Sequence, residues 1–376
     1  MEMLEFKKDK IYLMLKRDIT SGRLQSGRKL PSEPELSRKL GVGRITLRAS
    51  LYQLEQEGFI KRIRGKGTFV YPDGATTDAA TIMVIHGTDS GFEQTWHYIV
   101  PEICRYATEK QLKVFITTNA AINMFSESDI REFAKSNHII GIVALMSYFI
   151  GNEPILAKMR AAGVPIVIAP GRMDDAKNTG LACISFTEKD GWEAAIAYLS
   201  ELGHKRIGLI GHSTSNFRGY SLQETLQLLK KYHVTPDESL IRTVNFDRTD
   251  VIETTKAFCS NQATRPTAIL CFSDFYAIYV YDALRELKLR IPKDVAVMGL
   301  SGYPDARLLN PPLSTIDFGY AKSAKMAVEM LQEPDKWFDP VISKGKPRLI
   351  PFKLIRRQST ELKSTQKQEA KNKTTG

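Results

Sequence analysis

The sequence predicts an α/β protein of two unlike parts, a small basic helical head and a large body of alternating strands and helices. Charge is unevenly spread: residues 1–71 hold 16 Lys/Arg against 8 Asp/Glu, while residues 72–352 hold 30 against 32. Tyr71 to Ala80 carries Pro, Gly and small polar residues without periodicity, which marks a linker. From Thr81 onward short apolar runs alternate with helical patterns. A body of about 280 residues is large for one sheet, so two lobes are expected. The whole chain has 376 residues, 43% apolar and 25% charged, which excludes wholesale disorder.

The head opens with a charged stretch, Met1 to Lys10, that has no apolar core and so no signal peptide. Ser32 followed three residues later by Glu35 is a capping box, and Pro34 suits a first turn, so a helix starts here and runs to about Leu40. Gly41-Val42-Gly43 breaks it. A second helix begins near Arg44 and stops at Gly58. Leu47, Leu51 and Leu54 form one stripe of that helix, with Arg44, Ile45, Arg48 and Tyr52 on a neighbouring face. Two short helices joined by a tight Gly turn make a helix-turn-helix. Phe59–Ile63, Arg64–Gly67 and Thr68–Val70 then read as strand, basic turn and strand, a hairpin. Together these are a winged helix-turn-helix, a frame that places its second helix in the major groove of a duplex and its wing along the backbone or minor groove.

Those residues resemble the GntR-type winged-helix domain. The likeness runs from about Glu5 to Val70 through Leu30-Pro31-Ser32-Glu33, Arg44-Ile45-Thr46-Leu47-Arg48 and Gly58-Phe59-Ile60, to Gly65-Lys66-Gly67-Thr68-Phe69-Val70. It implies binding to a palindromic DNA operator, with Ser32, Glu33, Arg44, Ile45, Thr46, Arg48, Arg64, Lys66 and Gly67 as the contacting set. Gly43 stands where the family has Ser or Thr, and Pro34 where an Arg is common, so fewer phosphate contacts are expected. Ile45 and Ala49 are apolar at groove-facing positions, which suits thymine methyls.

In the body, strands are expected at 81–85, 113–117, 141–145, 165–168, 206–210, 268–271 and 295–298. Helices are expected at 94–110, 153–162, 191–202, 221–232, 250–261, 275–287 and 321–331. No nucleotide-binding glycine motif and no His-Glu-x-x-His occur. The four cysteines are far apart, which excludes a disulfide scaffold and a cysteine-rich zinc site and suits a reducing, cytoplasmic compartment. The longest apolar run, Ile139 to Ile150, is about half the ~20 residues of a membrane helix. Gly211-His212-Ser213-Thr214-Ser215 follows a strand but lacks the last glycine of a nucleophile elbow, so a serine hydrolase is a minor alternative. No cofactor, metal or catalytic residue is implied. Residues 361–376 read as a disordered basic tail.

The body resembles the effector domain of the LacI family, which has the fold of type I periplasmic sugar-binding proteins. The likeness lies in Glu201-Leu202-Gly203-His204-Lys205-Arg206-Ile207, Gly219-Tyr220, Ser273-Asp274, Ile291-Pro292-Lys293-Asp294-Val295-Ala296 and Asn310-Pro311-Pro312-Leu313-Ser314-Thr315-Ile316. It covers about residues 81–360. It implies a homodimer and two doubly wound lobes, joined by crossings near Ser185, Ser314 and Pro340, with a sugar effector held between them. Ligands of open α/β sheets sit beyond the carboxyl ends of the strands. The strand-end candidates are Asp89, Phe92, Glu93, Ser147, Asn216, Arg218 and Asp274, with Asp274 matching the family's ligand-contacting Asp. Thr187-Glu188-Lys189-Asp190, Asn216 and Leu300-Ser301-Gly302 depart from the family's pocket pattern, which leaves a non-sugar ligand or a protein partner as the alternative. Bacterial regulators of arabinose utilisation combine the same head and body, so the resemblance as a whole implies a sugar-controlled transcriptional repressor.

Overall fold

The computed structural model describes residues 2–20, 23–25, 27–63, 66–70, 79–87, 96–147, 149–213, 218–245, 247–338 and 346–361. The chain divides into two compact units. One comprises residues 1–90, 99–185 and 321–348, the other 91–98, 186–320 and 349–376. Besides the short segment 91–98, which belongs to the second unit, the chain passes between them after Ser185, Tyr320 and Arg348. The first passage falls where expected. The second lies beyond Ser314 because the strand beginning there first completes the second unit's sheet. Pro340, expected at the third, lies outside the described residues, as do 71–78 of the linker and the tail from 362.

In the first unit the head comes first: α1 (Glu2–Thr20), α2 (Glu33–Leu40), α3 (Arg44–Gln56), β1 (Ile60–Ile63) and β2 (Gly67–Val70). The leucine stripe of α3 is its core, with Leu47, Leu51 and Leu54 at most 1% exposed. They pack with Ile11, Leu15, Leu30, Leu36 and Ile60. Strands β1 and β2 pair antiparallel from Ile60↔Val70 to Ile63↔Gly67, and Lys29 bridges to Phe69 on the other edge.

The first lobe follows with β3 (Thr81–His86), α4 (Trp96–Glu109), β4 (Lys113–Thr118), α5 (Asn119–Asn123), α6 (Glu127–Ser136), β5 (Ile139–Leu145), α7 (Pro154–Ala161), β6 (Ile166–Gly171), α8 (Asp175–Thr179) and β7 (Ala182–Phe186). Their spatial order is β4-β3-β5-β6-β7, with all four pairings parallel. The first five residues of β3 are buried, as a strand covered on both faces requires. Strand order reverses between β3 and β5, so a crevice opens at their carboxyl ends.

The second unit repeats the plan: α9 (Glu188–Glu201), β8 (Ile207–His212), α10 (Leu222–Lys231), β9 (Ile241–Val244), α11 (Arg248–Cys259), β10 (Ala268–Cys271), α12 (Asp274–Glu286), β11 (Ala296–Ser301) and β12 (Ser314–Asp317). The chain then returns to the first unit through α13 (Tyr320–Gln332) and α14 (Pro334–Trp337). The last strands are β13 (Arg348–Ile350), beside β7, and β14 (Lys353–Ile355), antiparallel to β12. The order β9-β8-β10-β11-β12 places the second switch point between β8 and β10.

Candidate functional site

In the head, Glu35 accepts from the backbone N–H and hydroxyl of Ser32, at 2.9 and 2.7 Å, closing the predicted capping box. These hydrogen bonds hold the Glu35 carboxyl below its ordinary pKa. Gly41 ends α2 in the left-handed conformation, φ 62°. Gly43 then starts α3 with no side chain to cap it. The turn aims one face of α3 outward: Ile45 is 82% exposed and Tyr52 59%. Arg44 and Arg48 are exposed on the same face.

Arg48 is held rather than free. Its Nε donates to Glu33 Oε2 at 2.7 Å, and Glu33 also lies 4.0 Å from Arg62. A pair this exposed adds little stability; its effect is to orient the guanidinium. Arg62 is tied further to Glu55, at 3.4 Å. Thr46 does not join the outward set. It is 3% exposed, turned to the core with Leu47, so it cannot touch a duplex in this conformation. Lys66 and Gly67 are exposed at the wing, whereas Arg64 lies outside the described residues. Gly67 has φ 115°, and a Cβ there would come within 2.6 Å of the Lys29 side chain. Sequence reasoning missed Glu55 and Lys29 as supports of this face, and it placed Arg62 in a basic cluster with Lys61, Arg64, Lys66 and Arg48 without the carboxylates that tie it. No local signal marks Glu55 or Lys29, since Lys29 reaches the hairpin only through its bridge to Phe69.

In the second unit the switch point brings Arg218 and Asp274 to the carboxyl ends of β8 and β10. Arg218 is 8% exposed. Its Nε and Nη2 donate to the Phe272 carbonyl at 3.1 and 2.7 Å, and Nη1 donates to Glu188 Oε1 at 3.3 Å. The guanidinium carbon lies 4.0 Å from the Phe272 ring centroid and 5.2 Å from that of Phe318. Beside it, His212 is held below its ordinary pKa by burial and by the Arg218 charge.

Asp274 is 3% exposed and is the first residue of α12, which Ser273 caps. One carboxylate oxygen accepts from the Tyr303 N–H at 2.8 Å and the other from the Thr315 hydroxyl at 2.6 Å. Burial raises its pKa to about 6 against the pull of these hydrogen bonds. Both oxygens are therefore engaged within the protein, pinning the loop after β11 to β12. Phe318 and Tyr303 were not picked out from sequence, Thr315 was quoted only as part of a family-like stretch, and Glu188 stood in a pocket stretch read as a departure from the family rather than as the partner of Arg218.

Ser147 stands half-buried just past β5 of the first lobe. Asp89, Phe92, Glu93 and Asn216 lie outside the described residues. The Ser213 hydroxyl donates to Asn245 Oδ1 at 2.7 Å, an acceptor that cannot serve as a general base. Among the described residues no group of three or more His, Cys, Asp or Glu could hold a metal ion. No helix there is long and apolar enough to cross a membrane.

Comparison with known proteins gives the two parts separately. Residues 7–70 match the bacterial regulatory proteins of the gntR family. Residues 196–360 match the periplasmic binding protein-like domain. Over 337 residues the chain is 24% identical to the arabinose metabolism transcriptional repressor of Geobacillus stearothermophilus, covering 85% of this chain and 90% of that protein. Among solved structures, a regulatory protein of the LacI family from Chloroflexus aggregans superposes with a TM-score of 0.56 at 23% identity, over 74% of this chain and 98% of that one. A LacI family transcriptional regulator from Enterococcus faecium with bound ribose gives 0.57 at 14% identity, with the same coverage.

Proposed function

The chain joins a gntR-family regulatory domain to a periplasmic-binding-protein-like body, and from that premise we propose that it is a DNA-binding transcriptional repressor whose operator affinity is set by a small carbohydrate bound in the body. The observation that carries the proposal is the outward face of α3, where Arg44, Ile45, Arg48 and Tyr52 are exposed while the leucines behind them are buried. Arginine pairs with guanine edges, and apolar Ile45 suits a thymine methyl. Lys66 at the wing supplies a sequence-independent phosphate contact. The domain boundaries proposed are 1–70 for the head and 81–360 for the body, which also carries the homodimer contact that a palindromic operator requires.

Support for a sugar comes from the relative named for arabinose metabolism and from the Phe-flanked, hydrogen-bonding surroundings of Arg218. A second reading, a non-sugar ligand or protein partner in the same body, is favoured by one observation. Asp274 is 3% exposed and already accepts a hydrogen bond inside the protein at each oxygen, so little of it faces a sugar hydroxyl in this conformation.

The test is a selection of duplexes from a random pool by the full chain, followed by fluorescence anisotropy. The reading requires a palindromic site bound well above random DNA, and it requires the preference for that site to weaken in Arg48→Ala. Recovery of no preferred sequence would remove it.

A further inference from the structure

The head is seated on the first lobe, within one compact unit. Arg17 of α1, its side chain only 17% exposed, donates from Nη1 to Asp129 Oδ1 of α6 at 2.7 Å. The other oxygen of Asp129 accepts from the N–H and hydroxyl of Ser126, at 3.1 and 2.8 Å, closing the cap of α6. Near them, Arg23 stands 3.8 Å from Glu132. The Tyr12 ring stacks over Phe115 of β4 with centroids 6.0 Å apart, and Phe115 tilts against Phe133 of α6 at 5.1 Å.

Lys16 completes the contact. Its ammonium lies 4.8 Å from the Phe59 ring and 5.5 Å from Phe115. It donates to Tyr12 Oη and Glu57 Oε2, both at 2.8 Å. An apolar, aromatic centre edged by matched charges is the anatomy of a specific interface rather than of chance contact. The duplex-facing side of α3 stays exposed in the same arrangement, with Ile45 82% and Tyr52 59% accessible.

We propose that the first lobe holds the head as a docked, DNA-accessible arm through Arg17, Asp129, Tyr12 and Phe115, instead of leaving it free on the 71–80 linker. Asp129 makes the docking and the α6 cap one event, because a single carboxylate serves both. Helix α5 also packs on α1, and it begins at the carboxyl end of β4. A shift at that strand end therefore reaches the head directly. This last consequence rests on the repressor reading, whereas the docking itself does not.

The test uses the full chain carrying Cys104→Ser, Arg23→Cys and Glu132→Cys; the other native cysteines are buried. A short bis-maleimide should join the two new thiols within one chain, detected as a linked tryptic peptide. Adding Arg17→Glu should lower the yield about tenfold, the scale of one charge-assisted hydrogen bond. Hydrogen exchange on chains with the native cysteines gives a second readout. Arg17→Glu should speed exchange in both residues 12–20 and residues 127–136 by about tenfold, since docking and cap are shared. Asp129→Asn, which keeps an acceptor for Ser126, should speed residues 12–20 more than residues 127–136. A cross-link yield unchanged by Arg17→Glu, or exchange in 127–136 indifferent to it, would overturn the proposal. Neither readout requires DNA or effector binding, so failure here is distinct from failure of the repressor reading.

Discussion

Arg44 and Arg48 share one exposed face, and Arg48 is oriented through Glu33 at 2.7 Å. Replacing either by Ala should cost on the order of 1–3 kcal/mol in binding to the selected duplex, with less loss on random DNA. Glu33→Ala should give a smaller loss, because it frees the Arg48 guanidinium without removing it. Anisotropy titrations on both DNAs check the three variants. Asp274 makes a different prediction. Its pKa is raised in the folded state from 3.8 to about 6. Native protein therefore binds the Asp274 proton more tightly than unfolded protein. That contribution to stability is fully present below about pH 4 and is lost as pH rises through about 6. Asp274→Asn removes the titration, so its unfolding midpoint in urea should fall less than the parent's between pH 4 and 7. Equal slopes for the two proteins would place the pH dependence elsewhere.

At the scale of elements, the head was read closely from Ser32 onward, whereas its longest helix, α1, was not picked out. The capping box, the glycine turn, the leucine stripe and the hairpin are all local signals, and each stands within a residue or two of its expected place. Leu51, 1% exposed in the middle of the α3 stripe, should cost roughly 2–5 kcal/mol of stability when cut to Ala. Thermal unfolding of the full chain, followed by exchange in residues 44–56, would show the loss confined to the head. In the body the seven expected strands are β3, β4, β5, β6, β8, β10 and β11, all central in their sheets except the edge strand β4, whose Val-Phe-Ile core carries the signal. Sequence missed β7, β9, β12, β13 and β14, which are three to five residues long. Strands that short are defined by their neighbours in the sheet rather than by their own pattern. Helices α5, α8 and α14 were missed for a related reason, being four or five residues long; α6 was missed although the Ser126–Asp129 cap and the spacing of Ile130, Phe133 and Ala134 mark it. The site was less legible than the fold. Exposure of Arg44 and Arg48 followed from helical phase. The burial of Thr46, the Glu33 support and the internal use of Asp274 depend on tertiary contacts that no spacing reveals.

For the whole molecule, the account joins three claims: the head reads DNA, two copies act together, and the body controls the affinity. A palindromic site needs two heads, so the full chain should sediment as a homodimer at micromolar concentration. Lys66→Ala in the wing should weaken specific and random duplexes about equally and flatten the dependence of affinity on salt by roughly one phosphate contact per head. Control by the body requires a ligand that favours one conformation over another. The measurement that bears most directly on the central claim is a titration of the selected duplex by the full chain, with and without saturating arabinose or ribose. The account predicts tight, sequence-dependent binding in buffer that one of these sugars weakens about tenfold or more, a coupling of roughly 1.4 kcal/mol. Sequence-dependent binding that neither sugar shifts would contradict sugar control by arabinose or ribose, and binding equal to that of random DNA would contradict the account at its root.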